Sequence, residues 1–312
     1  MKYLLIFLIL TIPSTCLAQH FSGEITYKIS IVPKTNELNV DSLKSISQGE
    51  ITTYKITSNY YKSTYFKNNK ETYSYTYDNI SKRMYDTYVD RPYITFRDSR
   101  KANFDYKPGK IYRDSIVKIL GKDCFMVKYE SSYGNSTTYY SDNIKVDYET
   151  FKGHQVGNWY NKLSEVDGCI TMKTITELDT HYEIMEAVKI TPMKLSQKDF
   201  EIQPDKLIVA DFTALDKMVE LSPPSEETIK CYQEKTTQGQ SKRIDKTEPE
   251  ACYVSFVITT KGELLFPETY DNPNQKLDII AMDIIKNCGL SFVPGEIQGR
   301  KVSSMVYFPI QF

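Results

Sequence analysis

The feature that most constrains this chain is a two-residue alternation of apolar and polar side chains, repeated in many short runs. From Gly23, the apolar residues Ile25, Tyr27, Ile29 and Ile31 alternate with polar ones, which is typical of a strand with one buried face. Similar runs occupy Ile51–Ser58, Tyr60–Phe66, Glu71–Tyr77, Lys82–Tyr88, Lys110–Leu120, Cys124–Ser131, Thr137–Ser141, Gly168–Thr176 and Tyr182–Ile190. Turn-forming residues separate these runs and no helical period intervenes, so the pattern predicts an antiparallel sheet that meanders from neighbour to neighbour.

The aromatic composition agrees with a strand-rich fold. The chain has 25 Tyr and 14 Phe but a single Trp. In the run Glu71–Tyr77 the tyrosines at 73, 75 and 77 face one way. Such residues form either cross-strand ladders that stabilise the sheet or an aromatic wall that binds a ligand. We favour the ladder.

The N-terminus has the three parts of a secretory signal. Lys2 supplies a positive charge, Tyr3–Leu10 is apolar, and small residues stand at Cys16 and Ala18. We therefore predict a signal peptide over residues 1–18 and an exported protein in the periplasm or outside the cell, with peripheral association with the outer membrane as a further option. Two alternatives are an uncleaved anchor, which is short for a bilayer span, and a lipoprotein modified at Cys16.

Export permits disulfides, and the mature chain would carry five cysteines. Cys124 could pair with Cys169, while Cys231 could reach either Cys252 or Cys288. The alternative is that all five are small buried hydrophobes. None has the Cys-x-x-Cys spacing of a zinc site.

Charge and motif content favour a binding protein over an enzyme. The 39 Lys and Arg nearly balance the 40 Asp and Glu, which argues against a nucleic-acid-binding protein. The chain has three histidines, and His154 and His181 are the plausible imidazole bases. Neither accompanies a nucleophile, phosphate-binding or metal motif. We therefore predict no catalytic residues, no metal and no cofactor.

The sequence pattern changes after residue 204, where the regular alternation of apolar and polar residues stops. Residues 205–250 are rich in Pro and polar residues and predict a linker, with a short helix at Ser225–Lys235 and a loop at Thr236–Glu250. Residues 251–312 then predict a small α+β domain. Its expected elements are strands Cys252–Thr260, Glu263–Tyr270 and Lys301–Gln311 and a helix at Lys276–Cys288 with one apolar stripe.

The C-terminal unit carries a recognisable pattern. Its residues are Val254-Ser-Phe256-Val-Ile258, Gly262, Leu277-Asp278, Ala281, Phe292-Val-Pro294-Gly295, Gly299 and Val306-Tyr-Phe308-Pro309-Ile310-Gln-Phe312. In order and spacing this unit resembles the TonB C-terminal domain family. The resemblance implies the fold and peptide capture by strand addition. It does not imply energy transduction, because a folded β domain directly follows the predicted signal, where a transducer has a membrane anchor and a Pro-rich spacer.

Residues 20–204 resemble a second group more weakly. The matching pieces are Gly23-Glu-Ile-Thr-Tyr27, Ile119-Leu-Gly121-Lys-Asp-Cys124, Tyr139-Tyr-Ser-Asp142-Asn-Ile144, Val166-Asp-Gly168-Cys-Ile170 and Asp199-Phe200-Glu-Ile202-Gln-Pro204. They are similar to GLPGLI-type secreted proteins and their LolA-like half-barrel relatives. The resemblance implies an antiparallel half-barrel that holds a lipid or lipoprotein chain.

Two functions of different classes follow. In the first, the C-terminal domain captures a peptide or an envelope protein, an outer-membrane protein being one candidate, at an exposed edge strand with Val302, Ser304, Val306 and Phe308. That edge could instead pair with a second copy to give a homodimer. In the second, the N-terminal half-barrel carries or senses an apolar ligand such as a lipid.

Overall fold

The computed structural model of the chain describes residues 20–47, 49–101, 106–130, 134–244, 250–269 and 274–312. The predicted signal at 1–18, and with it Cys16, lies outside the described residues. Within the described ranges, no helix is both long enough and apolar enough to cross a bilayer.

The fold is mainly β. The strands are β1 (Gly23–Pro33), β2 (Ile51–Ile56), β3 (Tyr60–Lys67), β4 (Lys70–Asp78), β5 (Arg83–Tyr88), β6 (Tyr93–Asp98), β7 (Lys110–Ile119), β8 (Lys122–Tyr129), β9 (Asn135–Lys145), β10 (Cys169–Glu177), β11 (His181–Pro192), β12 (Leu207–Ala210), β13 (Glu220–Leu221), β14 (Ala251–Ile258), β15 (Leu264–Thr269), β16 (Phe292–Val293), β17 (Glu296–Ile297), β18 (Arg300–Lys301) and β19 (Ser304–Gln311). The helices are α1 (Val40–Ile46), α2 (Trp159–Glu165), α3 (Glu226–Gln240) and α4 (Gln275–Asn287).

Fifteen strands form one open, mixed sheet in the order β15-β14-β19-β12-β6-β5-β4-β3-β2-β1-β11-β10-β9-β8-β7. The meander from β2 to β6 and that from β7 to β11 are antiparallel and meet at β1, which pairs with β2 on one side and β11 on the other. The predicted antiparallel arrangement is therefore confirmed for the N-terminal strands. The sheet becomes mixed at β12, which runs parallel to both β6 and β19.

Local sequence explains the hairpins. Asn68 and Asn69 join β3 to β4 with positive φ values of 50° and 59°, as a tight hairpin turn requires. Leu120 and Gly121 do the same between β7 and β8, with φ values of 49° and 73°. Three of these four residues are asparagine or glycine, which tolerate this left-handed region, so they favour reversal of the strands at these positions.

The N-terminal strands pack one face against residues 147–166, which we call the plug. The plug contains two short 3-10 turns and α2. Its residues Phe151, Val156, Leu163 and Val166 are buried in one core with side chains from the strands, and Trp159 packs against that core. One face of these strands is therefore covered by the chain itself.

The linker prediction for 205–250 differs from the structure in two places. Leu207–Ala210 is a strand in the main sheet, and the helix extends to Gln240 instead of ending near Lys235. The predicted loop therefore begins beyond Gln240, and residues 245–249 lie outside the described ranges. A second core unites β14, β19, α3 and α4, with Phe256, Leu277, Ile284 and Ile310 at its centre.

Candidate functional site

The last strand, β19, lies inside the main sheet but is unevenly covered. On one side it pairs with β14 over its whole length, from Ile258↔Ser304 to Ala251↔Gln311. On the other side, which we call the outer side, the recorded strand pairing with β12 is limited to Ala210↔Ser304 among the described residues. Beyond this point the chain leaves β12 and turns away from β19 at Asp211.

The direction of the main-chain groups follows from the ladder. The N–H of Phe312 donates to the carbonyl of Glu250, on the β14 side. Main-chain groups alternate between the two sides of a strand. The N–H and C=O groups of Ser304, Val306 and Phe308 therefore point towards β14, and those of Met305 and the other odd-numbered residues point to the outer side. The hydrogen bond from the Ala210 N–H to the Ser303 carbonyl fits this parity.

This parity corrects the predicted edge. The main-chain groups of Ser304, Val306 and Phe308 belong to the β14 ladder, so these residues can contribute only side chains to a partner strand. Ser304 is fully buried and its hydroxyl donates to the carbonyl of Val302. Val302 precedes β19, and its N–H donates to the carbonyl of Gly295.

An apolar groove of about 460 Å³ runs beside the outer side of β19. Its walls come from β19 and from the segment 212–221, and Phe292 also contributes. Four large apolar side chains of the lining remain substantially exposed: Phe212 (45%), Met218 (51%), Leu221 (42%) and Tyr307 (39%). Large apolar side chains left open together in this way indicate a binding surface. The lining residues are Phe212, Leu215, Met218, Val219, Leu221, Phe292, Met305, Val306, Tyr307 and Phe308.

Polar contacts hold the wall opposite β19 in place. Asp211 caps a short 3-10 turn by accepting from the Thr213 N–H at 2.9 Å, and the Phe212 ring meets Tyr307 edge-on at 6.0 Å. Further along, the Gln298 N–H donates to Asp216 at 2.7 Å. Because the wall is fixed by its own contacts, the groove is formed before any partner arrives.

Sequence reasoning missed this wall. Residues 212–221 have no two- or 3.6-residue period and fell inside the predicted linker. The one usable signal was the density of large apolar residues, Phe212, Leu215, Met218 and Leu221, in a segment otherwise rich in polar residues.

The tyrosines form ladders across neighbouring strands, as predicted. Tyr73 meets Tyr88 at 4.7 Å and Tyr65 at 5.6 Å, each across a registered strand pair. Burial raises the pKa of Tyr61 and Tyr75 above the ordinary value, so both remain protonated hydrogen-bonding groups at neutral pH. The tyrosine rings therefore pack against one another within the fold, which favours the ladder over a ligand-binding wall.

His154, a plausible imidazole base, lies in the plug and is 1% exposed. Its ring stacks on Tyr77 at 4.0 Å, and its Nε2 lies 2.6 Å from the Tyr61 hydroxyl. Burial lowers the pKa of His154 to about 3, although the nearby main chain of Ser99 acts in the opposite direction. The neutral imidazole is therefore part of the core. The other, His181, lies at the start of β11, where its Nδ1 is 2.9 Å from the Thr180 hydroxyl.

The structure has a disulfide between Cys231 of α3 and Cys288, which directly follows α4. This is one of the two partners considered for Cys231, and it leaves Cys252 buried and outside this disulfide. Cys124 and Cys169 are free and buried. They lie on β8 and β10 with β9 between them. Two strand spacings of about 4.8 Å exceed the usual Cα–Cα span of a disulfide, so the suggested Cys124–Cys169 pairing is wrong.

Comparisons with known proteins add little to this geometry. No known protein family matches the chain, and no curated protein matches it either. A solved structure of PNGF-II in space group C2 aligns with 93% of this chain at 10% identity and a TM-score of 0.39. The chain spans 60% of the length of that PNGF-II chain. A likeness at this level carries no argument about fold or function. Among the described residues, no group of three or more His, Cys, Asp or Glu is placed to hold a metal ion.

Proposed function

We propose that this protein is a non-enzymatic, exported component of the cell envelope that captures an extended peptide in the groove beside β19. The partner would be a peptide segment of an envelope protein, with an outer-membrane protein as one candidate. The C-terminal unit would act as a TonB-C-like interaction domain without a role in energy transduction.

The observation that carries this proposal is that a strand of the chain itself already lies on the outer side of β19. β12 runs parallel to β19 and meets it at Ala210↔Ser304, where the Ala210 N–H donates to Ser303. Met305 and Tyr307, the next residues at outward-facing positions, line the groove. A peptide of four or five residues placed there would extend the pairing that β12 begins, and its apolar side chains would enter the groove.

Pro309 fits the same arrangement. It stands at an outward-facing position of β19, opposite Tyr253 of β14. Since proline lacks an N–H, this position offers only a carbonyl to an added strand. Gln311, at the far end of this stretch, carries both an N–H and a carbonyl at an outward-facing position.

For the N-terminal unit we propose an antiparallel half-barrel. Tyr61 of β3, Met84 of β5 and Cys124 of β8 share one core although their strands are far apart in the sheet order, which supports strong curvature around the plug. The alternative function, an apolar ligand held on this inner face, is less well supported because Phe151, Val156 and Leu163 already fill it.

Selection from a displayed library of random peptides of about ten residues tests the proposal. We expect the selected peptides to carry apolar residues at alternate positions. The variant Phe212→Glu should weaken their binding by at least about tenfold, because it places a carboxylate in the apolar groove. Ile279→Glu is the matched control, since Ile279 is 71% exposed on α4 and does not line the groove.

Methylation of the peptide nitrogens distinguishes strand addition from side-chain binding alone. When one peptide nitrogen at a time is methylated along a selected peptide, the affinity of the peptide for the protein should fall at every second position, because only alternate N–H groups of the peptide face β19. Ser304→Pro would be unsuitable as a probe, because its main chain serves the β14 ladder. Failure to select any peptide, equal binding to Phe212→Glu, or a methylation profile without alternation would overturn the proposal.

A further inference from the structure

A second cleft opens where two neighbouring strands of the main sheet separate. β10 and β11 pair from Lys173↔Glu186 to Glu177↔Tyr182. Among the described residues, β10 pairs before Lys173 with β9 alone, and β11 pairs after Glu186 with β1 alone. The two strands are therefore adjacent at one end and apart at the other.

The chain entering β1 crosses this opening. The N–H of Phe21 donates to the Lys145 carbonyl at 2.6 Å, and the N–H of Met193 donates to the Ser22 carbonyl at 3.1 Å. These bonds connect the end of β9 to the residue that follows β11. They leave between them a cleft of about 830 Å³, which is within the range of small-molecule sites.

The walls of the cleft are apolar and continuous with the main core. Ile144 is 7% exposed and belongs to that core, while Phe21 and Ile190 pack against it. Met193, at the mouth, is 40% exposed. Leu195 completes the apolar lining.

The charged side chains of the lining are cationic, and Ser22 and Asn143 are its neutral polar residues. Lys122, Lys145 and Lys194 border the cleft together with His20, and no Asp or Glu lines it. Lys145 donates to Asp167, which raises the pKa of the lysine above its ordinary value. Within the described part of the chain, Lys122 and Lys194 have no carboxylate within 4.0 Å. An anion at the mouth would therefore meet two cations that are not already neutralised by a neighbour.

Two acidic groups stand near the cleft without lining it. Asp147 lies 3.9 Å from His20, and Asp123 is 2.8 Å from Lys118, a lysine outside the lining. Asp123 is thus directed to Lys118, while Asp147 faces His20 of the lining, so the positive charge at the mouth rests on Lys122 and Lys194.

We propose that this cleft binds a single-chain anionic amphiphile. A carboxylate or phosphate head group would sit between Lys122 and Lys194, and the alkyl chain would lie along Phe21, Ile144 and Ile190. The site is separate from the peptide groove and from the plug-filled face, so it does not depend on the proposed function.

Calorimetric titration of the full exported chain with laurate and with dodecyl phosphate tests this inference, below their micelle concentrations. We expect one site per chain for at least one of these two probes, and the better of them distinguishes a fatty acid from a phosphate-bearing lipid. Affinity should rise on the order of fourfold per added methylene between octanoate and laurate. Dodecyltrimethylammonium, with the same chain and the opposite charge, should bind at least about tenfold more weakly.

Charge reversal localises the site. The double variant Lys122→Glu, Lys194→Glu should lose at least about tenfold in laurate or dodecyl phosphate affinity. The double variant Lys107→Glu, Lys198→Glu has the same net charge but changes exposed lysines outside the cleft, and it should bind as the parent does. Phe212→Glu should also leave this binding unchanged. Absence of binding, equal binding of the cationic probe, or equal loss in both lysine variants would overturn the inference.

Discussion

The protein is expected to lose stability as the pH falls from about 6.5 towards 4.5, at up to about 1.4 kcal/mol per pH unit. The cause is His154, which the fold buries in its neutral form between Tyr61 and Tyr77. Burial lowers its pKa from 6.5 in the unfolded chain to about 3 in the fold. Below 6.5 the unfolded chain therefore binds a proton that the folded chain does not, and the balance shifts towards unfolding. The stability that the fold has with His154 buried and neutral is fully present above pH 6.5, and it is lost progressively as the pH falls from 6.5 towards 3.

Urea unfolding at about pH 7.5, 6.5, 5.5 and 4.5 measures this slope. The variant His154→Phe keeps a ring to stack on Tyr77, so it should be less stable at neutral pH but much flatter across this range. His20→Gln is the control, because His20 is exposed. The hydrogen bonds that lower the pKa of Asp98 and Asp199 add an acid loss below about pH 4, outside the window. A parent profile as flat as that of His154→Phe would contradict the assignment.

Local pattern was sufficient for most of the sheet. In β3 and β4 the alternation predicted both the strands and the shared face of Tyr73, Tyr75 and Tyr77, and the asparagine pair between them predicted the turn. The single apolar stripe of α4 likewise placed that helix within one residue at each end. These elements bury one face each, so their period is visible in the sequence.

The elements that were missed depend on distant partners. β12 has only four residues, all apolar, and has no alternation to read. It becomes a strand because β6 and β19 offer ladders on both sides. The polar end of α3 is helical where a loop was predicted, and its Gly239 is in close contact with the ring of Phe312, the last residue of the chain. Such contacts across the sequence cannot be recognised from a local window.

The candidate site shows the same division. The sequence identified the last strand, but it could not tell which residues face β14, because that parity depends on how the two strands pair. It also could not supply the opposite wall, since residues 212–221 acquire their position from contacts such as those of Asp216 with Gln298 and of Phe212 with Tyr307.

Removing the Cys231–Cys288 disulfide is expected to lower the free energy of unfolding of the C-terminal unit by about 2–5 kcal/mol. The bond links residues 57 positions apart in the sequence and attaches α3 to the end of α4. Apart from the disulfide, α3 is held by few side chains, since Thr228 and Gly239 are its buried residues among those described and Tyr232 packs partly buried against the core. Its other links to α4 include the contact of Lys235 with Asp283, and a partly exposed ion pair contributes little.

The loss should be local before it is global. In the variant Cys231→Ala, Cys288→Ala, hydrogen exchange should show faster exchange over Glu226–Gln240, while Gln275–Asn287 remains protected by Leu277, Ile280 and Ile284, which pack on the sheet. Cys252→Ala is the matched control, because it also removes a buried sulfur from this core but leaves the disulfide intact. Reduction of the parent protein should reproduce the effect of the double variant without any change in side-chain volume. If oxidised and reduced protein unfold at the same urea concentration with equal exchange over α3, the disulfide does not hold this helix. An exported protein would keep the disulfide because its compartment is oxidising. The comparison of oxidised and reduced protein therefore also shows whether the stability of α3 requires an oxidising compartment.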